Sequence, residues 1–106
     1  MKQWLFVVRP VRPEMLTSGL TSEELDSVRK HFGYWQELTT QEVALVVGRT
    51  QTTGPETMGI AIFRAETEAE AQTIASNDPA VIDGVFDMQL LPYAVAILGN
   101  PDPFRV

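Results

Sequence analysis

The sequence predicts an α+β fold in which strand, helix, strand, strand, helix and strand follow one another. Two observations carry the prediction. Two stretches of helical periodicity each open on a Thr-x-x-Glu box, Thr21–Glu24 and Thr67–Glu70, where the hydroxyl accepts from a free amide of the first turn and the carboxylate reaches back. Around them lie four short runs rich in β-branched and aromatic residues, bounded by turn residues, which read as strands.

Trp4 to Val8 is a continuous apolar run ended by Arg9-Pro10, and forms the first strand. Pro10, Pro13 and Gly19 then punctuate a connection of about eleven residues, long against the usual 4–6 and of the kind that covers sites. Arg9 and Arg12 open it. The first helix spans residues 21–39, with Leu25, Val28, Phe32, Trp35 and Leu38 on one face. His31, the one histidine, falls on the flank of that face, while Asp26, Lys30 and Glu37 point to water. Val43 to Val47 and Met58 to Phe63 are the second and third strands, joined as a hairpin across the polar loop from Gly48 to Thr57. The second helix runs from Thr67, with Ala71, Ile74 and Ala75 as its apolar stripe, to about Asn77. Asp78-Pro79 begins a short extra turn, Ala80 to Asp83, closed by Gly84; aspartate suits the cap and proline the first helical position. The last strand is expected from Phe86 to Leu98, with Pro92 marking an edge position or a bulge.

This order is the split βαβ pattern of a ferredoxin-like fold with an antiparallel sheet. It is expected over residues 1–98 as a single domain, followed by a turn-rich tail, 99–106, in which Phe104 is the residue able to dock. A sheet with helices on one face and water on the other should alternate apolar and polar residues. These strands do not: Leu5 and Val7 are as apolar as Trp4, Phe6 and Val8, and Ala94, Ala96 and Leu98 alternate with Tyr93, Val95 and Ile97. Two helices cover one face, so a second copy of the sheet is the expected lid for the other, giving a closed homodimer.

With 106 residues, 44% of them hydrophobic and 21% charged, the chain has the composition of a globular domain that buries somewhat over about 60% of its unfolded surface. A net charge of −6 with no basic run longer than Arg29-Lys30 argues against nucleic acid as a partner. No cysteine is present, which removes disulfides, thiolate metal sites and a cysteine nucleophile. The apolar run near Met1 is too short for a signal peptide and no stretch reaches membrane-spanning length, so the expected location is the cytoplasm, away from membranes.

Gly48, Gly54 and Gly59 lack the lysine and helix that a phosphate-binding loop requires. One histidine with Asp78, Asp83 and Asp87 makes a poor metal site, their carboxylates reading as solvated, and no serine triad signature is present. Neither metal nor cofactor is expected. What remains is His31 with Asp78. In a split βαβ fold the two helices lie side by side, so the end of the second approaches the middle of the first. A carboxylate on one imidazole nitrogen fixes the tautomer and raises the basicity of the other. The competing reading is structural, a satisfied histidine beside an aspartate that only caps a helix.

His31-Phe-Gly-Tyr-Trp-Gln-Glu-Leu38, the strand–loop–strand with Gly48-Arg49 and Gly54-Pro55, and Thr67-Glu-Ala-Glu-Ala71 leading into Asn77-Asp78-Pro79 together resemble the YciI-like (YCII-related) family, over nearly all of Trp4 to Leu98. The resemblance implies a ferredoxin-like fold, dimerisation of the dimeric α/β-barrel kind, and an active site on a His-Asp pair that maps to His31 and Asp78. Most members of that family have no assigned substrate, and a few are associated with dehalogenation of aromatic rings by elimination. The chain departs from the family in its proline-rich first loop and acidic balance, which leaves the substrate open.

The expected function is therefore a small acid–base enzyme, of lyase or hydrolase type, in which His31 moves the proton and Asp78 orients it. Phe6, Trp35 and Tyr93 are candidate walls of an aromatic-friendly pocket, against a reading as core or dimer contacts, and Arg9 is the candidate for an anionic group. Two alternatives stand beside it: a non-catalytic dimer that binds a small ligand, and a cofactorless monooxygenase or isomerase of the same architecture.

Overall fold

The computed structural model describes residues 1–105. Val106, the last residue of the expected tail, lies outside the described residues. Four strands, β1 (Lys2–Pro10), β2 (Ala44–Arg49), β3 (Gly59–Ala65) and β4 (Phe86–Tyr93), form one antiparallel sheet in the order β2-β3-β1-β4. Three helices, α1 (Ser22–Thr40), α2 (Glu68–Ser76) and the single turn α3 (Pro79–Ile82), complete the ferredoxin-like arrangement, with short 3₁₀ turns at Pro13–Leu16 and Asp102–Phe104.

The long β1–α1 connection is tied down by charge and by packing. Arg12 donates through Nε to Glu24 Oε2 at 2.9 Å and through Nη2 to Glu24 Oε1 at 2.5 Å, and it also reaches the Gly19 carbonyl at 2.9 Å. Met15 of the 3₁₀ turn is buried beneath it. The same Glu24 closes the capping box, accepting from the Thr21 amide at 2.8 Å while its own amide donates to Thr21 Oγ1 at 3.1 Å. The arginine holds the Glu24 carboxyl down at about 2, with the Thr21 amide assisting. At α2 the box is half formed: Thr67 takes the Glu70 amide, but the Glu70 carboxylate goes to the Glu66 amide one residue earlier.

The core lies between the helices and one face of the sheet. Register places Trp4 opposite Phe63 and Phe6 opposite Ala61, so Trp4, Phe6, Val8, Ala61, Phe63 and Ala65 share this face. Trp35 of α1 fills its centre, 4.9 Å from the Phe6 ring and 5.6 Å from that of Phe63. Ala71 and Ala75, both fully buried, bring α2 down onto the sheet where a larger residue would hold it away. The opposite face carries Leu5, Val7, Ile60, Ile62, Leu91 and Tyr93, of which Leu91 and Tyr93 remain exposed.

Three expectations are corrected. The face of α1 that packs inward runs through Glu24, Ser27, Val28, His31, Tyr34, Trp35 and Leu38, so His31 sits at its middle and not on its flank; Phe32, at 63% exposure, and Leu25 are turned to the side. The reason is that Ser27, His31 and Tyr34 are partnered by groups from other elements, which lets polar residues occupy the inner face. The last strand ends at Tyr93, not Leu98, because its pair Gln3 lies next to the start of β1 and the ladder runs out of partner. Pro92 lies within β4, opposite Trp4, on the outer edge of the sheet, where a missing amide costs no ladder bond. Phe104 does not dock: its side chain is exposed.

Candidate functional site

Asp78 is the residue around which the site is built. It follows α2 and caps α3, its Oδ1 accepting from the Ala80 amide at 2.9 Å, with Pro79 in the first helical position. Its other oxygen, Oδ2, points back beneath α1. There it accepts from Trp35 Nε1 at 2.8 Å and meets His31 Nδ1 at 2.5 Å. The carboxylate is thus held by three groups from two helices, two side chains of α1 and the capped amide of α3, and it has no solvent exposure. A buried charge persists only when its lone pairs are filled, and among the described residues no buried side-chain polar atom lacks a partner.

The imidazole is fixed from two sides. Phe86, the first residue of β4, meets it edge-on at 5.1 Å between centroids, while Asp78 sets its rotation. An ionised carboxylate only accepts, so Nδ1 carries the proton in this bond, and in the neutral ring the lone pair is then on Nε2. Among the described residues Nε2 has no hydrogen-bond partner. The His31 side chain retains 18% of its surface, against none for Asp78. One face of the pair is therefore closed by protein and the other reaches solvent. Tyr34, one turn further along α1, donates to the Ile74 carbonyl at 2.7 Å, and burial and the nearby Asp78 charge push its phenol up.

An open concavity of about 520 Å³ lies one turn before His31 along α1, lined by Arg12, Glu24, Ser27, Asp83 and Val85 among others. Ser27 Oγ donates to Asp83 Oδ2 in its wall. His31 is not itself a lining residue; Ser27 precedes it by four positions and Val85 adjoins Phe86. The sequence offers no reading of Ser27, and Asp83 reads there as a solvated carboxylate. The one available signal was spacing, since Ser27, His31 and Trp35 stand four apart on one helical face.

Of the candidate residues, the structure brings His31, Asp78 and Trp35 together, with Phe6 packed behind the Trp35 ring in the core. Arg9 and Tyr93 do not join them in this chain. Both project from the other face of the sheet, Arg9 opposite Asp87 and Tyr93 opposite Gln3. Arg9 instead borders a separate concavity of about 460 Å³ between the first loop and the β2–β3 loop, with Pro13, Leu16, Thr53, Pro55 and Thr57. Among the described residues no group of three histidine or acidic side chains is placed to hold a metal ion, and no helix is long and apolar enough to cross a membrane.

A family model for the YCII-related domain matches residues 5–93. Among solved structures, the chain is similar to 5-chloro-2-hydroxyhydroquinone dehydrochlorinase (TftG) from Burkholderia phenoliruptrix AC1100, in complex with 2,5-dihydroxybenzoquinone. The TM-score is 0.62 at 22% sequence identity, over 86% of this chain and 93% of that one. No curated protein sequence matches.

Proposed function

From the premise that this chain belongs to the YCII-related domain family, we propose that it is an acid–base enzyme of the lyase type that acts on a small aromatic substrate through His31 and Asp78, as a homodimer in the cytoplasm. The observation that carries the reading is the 2.5 Å contact between His31 Nδ1 and the fully buried Asp78 carboxylate, beside an Nε2 left without a partner among the described residues. In the proposed reaction one ring hydroxyl first ketonises, its proton moving to the carbon that bears the halogen and making that carbon tetrahedral. Nε2 then takes the proton of a second ring hydroxyl; the electron pair of that O–H bond becomes a carbonyl π bond, the adjacent ring double bond shifts, and the halide leaves the tetrahedral carbon with its bonding pair, giving the quinone. Proton and halide depart together, so no electrons remain for a redox cofactor to accept. Asp78 keeps Nδ1–H in place and balances the imidazolium while it exists. The dehydrochlorinase named above supports this choice of substrate class. The homodimer is supported by the apolar face of Leu5, Ile60, Ile62, Leu91 and Tyr93, which a second sheet would cover.

A second reading, a dimer that binds a small ligand without chemistry, is favoured by one fact: neither concavity is lined by His31 itself. The test is a panel of chlorinated hydroquinols followed by chloride release and quinone absorbance. Turnover that falls by about 10²–10⁴ in kcat/KM in His31→Gln is the expected result. Absence of turnover across the panel, with saturable quenching of tryptophan fluorescence, would replace the enzyme by the binding module. Oxygen uptake would point to a cofactorless oxygenase instead.

A further inference from the structure

The single turn α3 has a carboxylate at each end, and both are taken by one face of α1. Asp78 before the turn accepts from Trp35 and meets His31, and Asp83 after it accepts from Ser27 Oγ. Ser27, His31 and Trp35 stand on three successive turns of α1. The turn has little of its own to hold its direction. A helix this short does not persist by its backbone bonds alone, Ile82 is 64% exposed, and Ala80 is the buried residue of the four, offering only a methyl group. Ser27 is itself buried, at 3% exposure, so its hydroxyl needs a partner, and among the described residues that partner is Asp83.

We propose that Ser27 and Asp83 are positioning residues for the His31–Asp78 pair: their hydrogen bond fixes the far end of α3, and through it the direction from which Asp78 meets the imidazole. Attached at Asp78 alone, the turn could swing about that point. The second attachment, at the other end of the same turn, removes that freedom and holds the carboxylate in line with Nδ1. Phe86 is carried along with it. The Val85 amide donates to the Ala80 carbonyl at 2.9 Å, and Phe86 follows directly, its ring edge-on to His31. A displaced α3 therefore withdraws both the carboxylate that orients the imidazole and the ring that backs it. Ser27 and Asp83 act through Asp78 and take no proton of the reaction themselves. The inference rests on the proton-transfer role proposed above for His31 and adds to it the pair that keeps the base aligned.

The single histidine makes the test direct. Solvent exchange of the His31 Nδ1 proton, measured by NMR at fixed pH, needs no substrate; kcat and KM on the chlorinated hydroquinols are measured beside it. Ser27→Ala removes the donor without changing charge. Asp83→Ala and Asp83→Asn lose the same charge, but asparagine keeps an oxygen for the serine. The expected result is Nδ1 exchange faster by about tenfold or more in both alanine variants, with kcat lowered by about tenfold and KM within about twofold, while Asp83→Asn keeps the slow exchange of the wild type. Unchanged exchange in folded Ser27→Ala and Asp83→Ala overturns the inference, since the bond then serves stability alone. Asp83→Asn exchanging as fast as Asp83→Ala overturns it as well, because charge and not the hydrogen bond would set the alignment. Asp83 is exposed, so its two variants carry the comparison even where Ser27→Ala does not fold. Faster exchange in the alanine variants of a protein that turns over none of the substrates supports the alignment and overturns the enzyme reading; unchanged exchange in a protein that turns them over does the reverse.

Discussion

Trp35 and Asp78 are joined by a hydrogen bond from the indole Nε1 to carboxylate Oδ2 at 2.8 Å, on the very oxygen that meets His31. The largest fully buried side chain of the core is thereby also a donor to the candidate site. Three donors converge on two oxygens, and that count governs what substitution there should do.

An amide has one oxygen, so in Asp78→Asn no orientation satisfies Trp35 Nε1, His31 Nδ1–H and the Ala80 amide together. A buried donor left without a partner costs about 1–3 kcal/mol. In Asp78→Asn/Trp35→Phe the conflict disappears: the asparagine oxygen caps α3 and its amide donates to a His31 that has moved its proton to Nε2. Urea unfolding should show the double variant losing less than the sum of the single ones by about 0.5–3 kcal/mol. The ¹⁵N shifts of the single histidine should report Nε2–H, and turnover should stay lost although part of the stability is recovered. Strict additivity would mean that the three donors do not share the carboxylate.

Glu24 predicts a pH dependence. Its folded-state value near 2 lies below the ordinary carboxylate range, so the unfolded chain takes up its proton first on acidification. The Arg12–Glu24 contact therefore contributes fully above about pH 4.5 and is lost as the pH falls toward 2. Melting temperatures across that window should drop more steeply in the wild type than in Glu24→Gln. Parallel curves would show that the ion pair does not hold the first loop.

Two glycines should respond with opposite sign. Gly84 has φ +73°, directly after the α3 cap, and an added Cβ would touch nothing. The cost of Gly84→Ala is then backbone strain alone, about 1–2 kcal/mol. Gly33 lies in the exposed middle of α1, also with open space around it. Gly33→Ala should stabilise by about 0.5–1 kcal/mol. Chemical denaturation of both variants tests the pair, and a destabilised Gly33→Ala would contradict it.

Local rules made much of the fold legible. The Thr21–Glu24 box, the Asp78-Pro79 start and the Gly84 stop each depend on residues within a few positions of one another, and each formed as its chemistry requires. The inner face of α1 was misread for the opposite reason. Hydropathy favoured Leu25 and Phe32, but Ser27, His31 and Tyr34 were accepted into the interior by Asp83, Asp78 and Ile74, from 40 to 56 positions away. Trp35 was legible as a large apolar residue and illegible as a donor, because its acceptor belongs to another helix.

By itself, then, the sequence determined the order of elements and the caps that start and stop them, since each depends on short-range geometry. Tertiary structure decided which face of α1 turned inward, that Arg9 and Tyr93 lie across the sheet from His31, and that the last strand stops where β1 begins. Those outcomes depend on partners distant in sequence, and a polar side chain becomes a core residue only when its partner arrives.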